Sequence, residues 1–137
     1  MLKSFAVGLP VFLVLDFVWL GVVSSRFYAD QLGPWLRRAA DGSMAPLWTP
    51  ALVFYVLVVV GLAAFVAPRV TAGGGGVLVA TGWGALFGLV VYGAWDLTSY
   101  SVMKDWPFGV VVADMAWGAT VCAATTVAMT IGERWFA

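Results

Sequence analysis

Residues 108–131 read FGVVVADMAWGATVCAATTVAMTI, twenty-four residues with one charged group, Asp114. A helix needs about 20 mostly apolar residues to cross the hydrocarbon core of a bilayer, so the stretch has the length and composition of a membrane span. A carboxyl group near the middle of such a span costs about 2.5–3.5 kcal/mol on insertion scales. Asp114 therefore marks both a spanning helix and a candidate site.

Working outward, three more stretches have the same character: Ser4–Val23, Leu47–Ala67 and Val77–Asp96. The first holds Asp16 and the last ends on Asp96. Composition agrees, with 63% hydrophobic and 10% charged residues against about 45–50% and about 25% in soluble domains. The sequence predicts an all-α polytopic membrane protein, a four-helix transmembrane bundle with an interfacial first loop, forming one domain over 1–137. A signal peptide is the alternative for the first stretch. Asp16 interrupts its apolar region and no small-residue cleavage site follows, so a retained helix is expected. Pro10 should kink that helix.

Composition also excludes function classes. Net charge is zero, which leaves no basic surface for nucleic acid. There is no His, hence no imidazole for haem or metal. The lone Cys122 reads as a small buried filler. Lys3 and Lys104 lie at span ends, away from the mid-membrane position of a retinal Schiff base. Gly73–Gly76 has no following Lys-Ser/Thr and reads as a turn, not a phosphate loop. No cofactor and no metal site is implied.

The first connection, Ser24–Pro46, places Tyr28, Leu32, Trp35 and Leu36 at helical spacing, broken by Gly33-Pro34. Two short pieces at the interface are expected. Trp35, Trp48, Trp95, Tyr100, Trp106 and Trp135 fall near span ends, as interfacial aromatics do. Trp19, Trp83 and Trp117 lie deeper and read as packing residues. Four spans put both termini on one side, face A. Lys3, Arg69 and Arg134 then lie on face A, and Arg26, Arg37, Arg38 and Lys104 on face B, a near-even split under the positive-inside rule.

Depth gathers the polar residues. Counted from face B, Asp16 and Asp114 lie about 10–12 Å in, at 1.5 Å per residue, with Tyr55 at a comparable level. Asp96 is expected at the boundary. Tyr92, Asp96 and Tyr100 are spaced by four, which places them on one helix face, and Lys104 follows in the loop. No span contributes an acid to the face A half. The expectation is one polar pocket toward face B, lined by Asp16, Tyr55, Tyr92, Asp96, Tyr100, Lys104 and Asp114, with Asp96, Tyr100 and Lys104 at its mouth. Asp105 reads as a solvated loop charge.

Two further patterns concern packing. Gly84-Ala-Leu-Phe-Gly88 is a GxxxG motif, and Asp114, Gly118, Cys122 and Thr125 form a small or polar stripe. Small residues let helices approach closely, so spans three and four are expected to pack together. A homodimer through Gly84/Gly88 is the competing expectation. Asp-x-x-Trp occurs twice, as Asp16–Trp19 and Asp114–Trp117. The two helices run in opposite directions, so a tandem duplication does not align them, and the recurrence reads as chance.

Several strings together resemble a known family: Leu15-Asp16-Phe17-Val18-Trp19-Leu20-Gly21, Phe54-Tyr55, the Gly84–Tyr92 run, Asp96-Leu97-Thr98, Tyr100, Lys104-Asp105-Trp106-Pro107 and Asp114-Met115-Ala116-Trp117-Gly118. They resemble domain-of-unknown-function family 2177, small bacterial integral membrane proteins, over nearly the whole chain. The stretch from Asp96 to Pro107 followed by Asp114 is the most specific part. Asn is common in the family pattern where this chain has Ser99, so Ser99 is not taken as a site residue. The resemblance implies a membrane fold in the bacterial inner (cytoplasmic) membrane and no particular activity.

Three functions fit these residues. The first is a carrier or binder of a small amphipathic or cationic solute, since desolvation favours the neutral form of a buried carboxylic acid and would let Asp16 or Asp114 exchange protons. The second is a membrane-embedded enzyme acting on lipids, with Tyr92, Asp96 and Lys104 as acid–base groups. The third is an accessory subunit of a membrane complex.

Overall fold

A computed structural model describes residues 1–135, so Phe136 and Ala137, the end of the expected 1–137 domain, lie outside the described residues. Among the described residues, four helices are long and apolar enough to cross a membrane: α1 (Leu2–Val23), α3 (Trp48–Ala72), α4 (Val77–Val102) and α5 (Phe108–Trp135). A short helix, α2 (Ser25–Gln31), and a one-turn 3-10 helix (Gly33–Trp35) occupy the first connection, as the Gly33-Pro34 break implies. Among the described residues there is no strand; an isolated antiparallel bridge joins Arg38 to Met44.

The exterior is apolar, and the interior combines an apolar core around Phe12, Val59, Leu62 and Met129 with a few buried polar residues, among them Ser4, Asp16 and Asp96. On α1 the buried residues are Ser4, Gly8, Phe12 and Asp16, one every four positions. That spacing follows one helix face, while Val14, Phe17, Val18 and Val22 point outward. Pro10 lies within α1 on its exposed side. Lipid tails solvate apolar side chains as well as another helix does, so close packing and hydrogen bonds select the inner face. Two helices carry a π-helical turn, Trp19–Val23 in α1 and Leu62–Val66 in α3.

The tightest packing joins α4 to α5. A Cβ added at Gly84 would lie 2.7 Å from the Cys122 carbonyl oxygen, and one at Gly88 would strike the Gly118 carbonyl. Both glycines are buried against α5 of the same chain. The expected pairing of spans three and four is therefore present. The expected homodimer surface at Gly84/Gly88 is corrected, because backbone of α5 already fills that space.

The connections follow local chemistry. Between α3 and α4, Gly74 and Gly75 take φ values of +90° and +66°, which glycine adopts without steric penalty. In the first connection Arg38 donates to the carbonyls of Gly42 and Ala29, both at 3.1 Å, which folds the loop back on α2. At its tip Asp41 accepts from the Ser43 amide and hydroxyl, and these bonds hold its exposed carboxyl below the usual range.

Two sequence expectations need correction. Helix α4 does not end at Asp96 but runs to Val102, so Asp96 is not a boundary residue. Its relative exposure is 0%. Likewise α5 continues past Ile131 and carries Glu133 into the face A end, where the fully buried Ser4 donates its hydroxyl to the Glu133 carboxylate. That half of the bundle does hold an acid. The same bond brings the start of α1 and the end of α5 to one end of the bundle.

The packing can be tested with two alanine substitutions on α4. Gly88→Ala should lower stability by about 1–3 kcal/mol through overpacking. Gly82→Ala, where an added Cβ meets nothing within 4 Å, should leave stability unchanged or slightly raised. Unfolding in detergent mixtures measures both, and equal effects would contradict the α4–α5 contact.

Candidate functional site

A cavity of about 300 Å³ opens where α1, α3, α4 and α5 meet the first connection. Asp16 and Trp19 from α1, Tyr28 from α2, Phe54 and Tyr55 from α3, Tyr92 from α4, and Asp114 and Trp117 from α5 line it. Leu20, Leu32, Leu36, Met44 and Ala51 complete the wall. The first connection is thus more than an interfacial segment, because four of its residues close the cavity.

Each acid has an aromatic donor. The Trp117 indole N–H donates to Asp16 Oδ1 at 2.9 Å. The Tyr28 hydroxyl donates to the Asp114 carboxylate. Trp19 donates its indole N–H to the Tyr28 oxygen at 3.3 Å and stacks on Trp117, with ring centroids 4.5 Å apart and planes 5° apart. The network therefore runs from Asp16 through Trp117, Trp19 and Tyr28 to Asp114. Tyr55 turns its hydroxyl toward the Asp16 carboxyl, and its ring packs on Phe12 and Phe54, both at 5.8 Å.

Asp96 lies behind this layer, outside the cavity wall. Neither of its oxygens has a hydrogen-bond partner of ordinary donor–acceptor geometry, yet its carboxyl is within hydrogen-bonding reach of Asp114. Two ionised carboxylates are both acceptors and cannot bond each other.

Asp16, Tyr55, Tyr92 and Asp114, four of the residues expected at the site, line one cavity. Asp96 contacts it through Asp114. Tyr100 and Lys104 do not join them: both are exposed, and Tyr100 packs its ring on Phe108, 5.5 Å away. The expectation of a mouth built from Asp96, Tyr100 and Lys104 is corrected on that geometry. The buried row of α4 steps by three at this end, through Gly93, Asp96 and Ser99, and leaves Tyr100 on the exposed side. The residues that sequence reasoning passed over are Trp19, Trp117 and Tyr28. The repeated Asp-x-x-Trp pattern was the available signal, since spacing of three puts each acid and indole on one helix face.

The fold and cavity define a multi-pass α-helical membrane protein with acids and aromatic rings gathered at one end of the bundle. The model of the predicted membrane protein family DUF2177 matches residues 1–131, and the chain belongs to that family. No curated protein and no solved structure matches it.

Tyr28 gives the site a measurable signature. Burial, and secondly its bond to Asp114, push the phenol above its ordinary range. Stability from the protonated phenol is complete below pH ~10, the ordinary tyrosine value, and is lost as pH rises from there toward the folded-state value. Tyr28→Phe should lower stability at neutral pH by about 0.5–1.5 kcal/mol, the net worth of one hydrogen bond to the half-buried Asp114. It should also show a shallower alkaline decline than the wild type. Melting temperatures at neutral and alkaline pH check both, and parallel alkaline declines would contradict the buried Tyr28.

Proposed function

We propose that the protein binds a small amphipathic cation in this cavity as a step in carrying it through the membrane. The observation that supports this reading is the pairing of Asp16 and Asp114 with the rings of Trp19, Trp117, Tyr28, Phe54, Tyr55 and Tyr92 around one volume. A cation over an aromatic face gains about 0.5–1 kcal/mol when exposed and about 2 kcal/mol or more when desolvated. A carboxylate supplies the countercharge, and the apolar wall suits an alkyl or aryl substituent. Among the described residues, no Lys or Arg lines the cavity to compete for the acids.

A membrane-embedded enzyme acting on lipids is less well supported. Both lining acids are engaged by indole or phenol donors, an arrangement that holds carboxyl groups in place and does not activate a nucleophile. Movement is expected where the helices are least regular. The π-helical turns of α1 and α3 are such places, and turns of this kind recur at functional sites.

Binding of benzyltrimethylammonium to the purified protein, followed by calorimetry and tryptophan fluorescence, tests the reading. Asp16→Asn should weaken binding by at least about tenfold, the loss of a desolvated charge partner. Asp105→Asn, on the exposed loop, should leave it unchanged. Equal affinity in wild type and Asp16→Asn would sink the proposal.

On this reading the four spans form a single transmembrane domain in the bacterial inner membrane, with both ends on one side and the cavity toward the other. The Ser4–Glu133 bond supports that topology. Reporter fusions at the two ends of the chain should score on the same side, and opposite scores would overturn it.

A further inference from the structure

We infer that Asp96 and Asp114 hold one proton between them and that a cation entering the cavity displaces it, which makes the protein a cation–proton exchanger. The exchange rests on the cation reading proposed above; the shared proton does not. Asp96 is fully buried and both its oxygens lack a conventional donor. Its carboxyl faces that of Asp114. With both groups ionised, two acceptors and two like charges, one fully buried and one half-buried, would lie together with no donor between them. With one proton, the contact becomes an O–H···O bond and the pair carries a single negative charge.

The surroundings supply no cation to do this instead. Toward Asp114, α2 presents the Tyr28 phenol and α1 presents Asp16. Lys104 is exposed in the following loop. Among the described residues, no cluster of three or more metal-ligating side chains suits a metal ion.

The division of work follows from the partners. Asp16 takes an N–H from Trp117 and faces the Tyr55 hydroxyl, both neutral donors that stabilise a carboxylate. It faces the cation in the proposed site. The Asp96–Asp114 pair is the proton store, and Asp114 is its contact with the cavity. A cation beside Asp114 favours the doubly ionised pair, so one O–H bond breaks, one proton leaves toward water, and the charge of the site is unchanged. The coupling is reciprocal, and protonation of the pair must expel the cation. Affinity therefore falls as pH falls.

The test uses the full chain in detergent, with benzyltrimethylammonium as probe and three readouts: calorimetry in buffers of different ionisation enthalpy, affinity against pH, and the infrared band of a protonated carboxyl. Wild type should show that band at pH 7 and lose it on binding, with release of about one proton per cation. Its affinity should fall about tenfold per pH unit while the pair is protonated. Asp96→Asn places an amide donor on Asp114. It should lack the band, still bind the cation, and show no proton release and a flat pH profile. Binding with equal release in wild type and Asp96→Asn, or dependence on Na⁺ concentration in place of pH, would overturn the inference and leave the cation site standing. If the variant fails to fold, loss of the wild-type band on binding decides alone, and a band untouched by bound cation overturns the exchange. If no cation binds, the exchange falls with the cation reading. The shared proton then stands only if wild type shows the band and Asp96→Asn lacks it.

Discussion

The hydrogen bond from the Trp117 indole to Asp16, 2.9 Å long, joins the last span to the first inside the bundle. The hydrocarbon core offers polar groups no partner, so each one on a spanning helix must find its partner within the protein. That constraint organises the bundle. It selects the buried face of α1, which runs from Ser4 on Glu133 at one end to Asp16 on Trp117 at the other. It also draws the first connection inward, since Tyr28 is the donor that Asp114 requires.

Packing and chemistry are coupled through the glycines. The α4 and α5 backbones approach closely because Gly84 and Gly88 carry no Cβ to hold them apart. Gly118 does the same opposite Tyr92, whose ring occupies the space a side chain there would need. Close approach of the two helices brings Asp96 within reach of Asp114. Larger residues at these positions would hold the helices, and with them the two carboxyls, further apart. The small-residue stripe therefore acts on the site as well as on the fold.

The four spans were legible because length and apolarity decide a spanning helix almost alone. Their ends were less so. Counting apolar residues stopped α4 at Asp96, where the acid was read as a border; the helix continues six residues further, and the acid is interior. Depth counting puts Asp16, Asp114, Tyr55 and Tyr92 at one level because rise per residue is fixed along a helix, and all four line the cavity. Tyr100 and Lys104 are exposed and lie off the cavity wall, because angular phase and the helix end decide their place and depth says nothing about either. The indoles were read as packing residues because hydropathy does not register that a buried Trp needs an acceptor for its N–H. The Asp-x-x-Trp pair carried that information. Whatever its origin, it places two acids and two indoles where the rings stack and their N–H groups serve the acid network.

The central claim is that Asp16, Asp114 and the stacked indoles form one cation site. The most direct measurement is a crystal structure of the protein soaked with tetraethylarsonium, whose arsenic is located by anomalous scattering. An arsenic peak is expected inside the cavity, against the Trp19–Trp117 stack and between the carboxyls of Asp16 and Asp114. An arsenic site confined to the outer surface, with the cavity holding none, would contradict it.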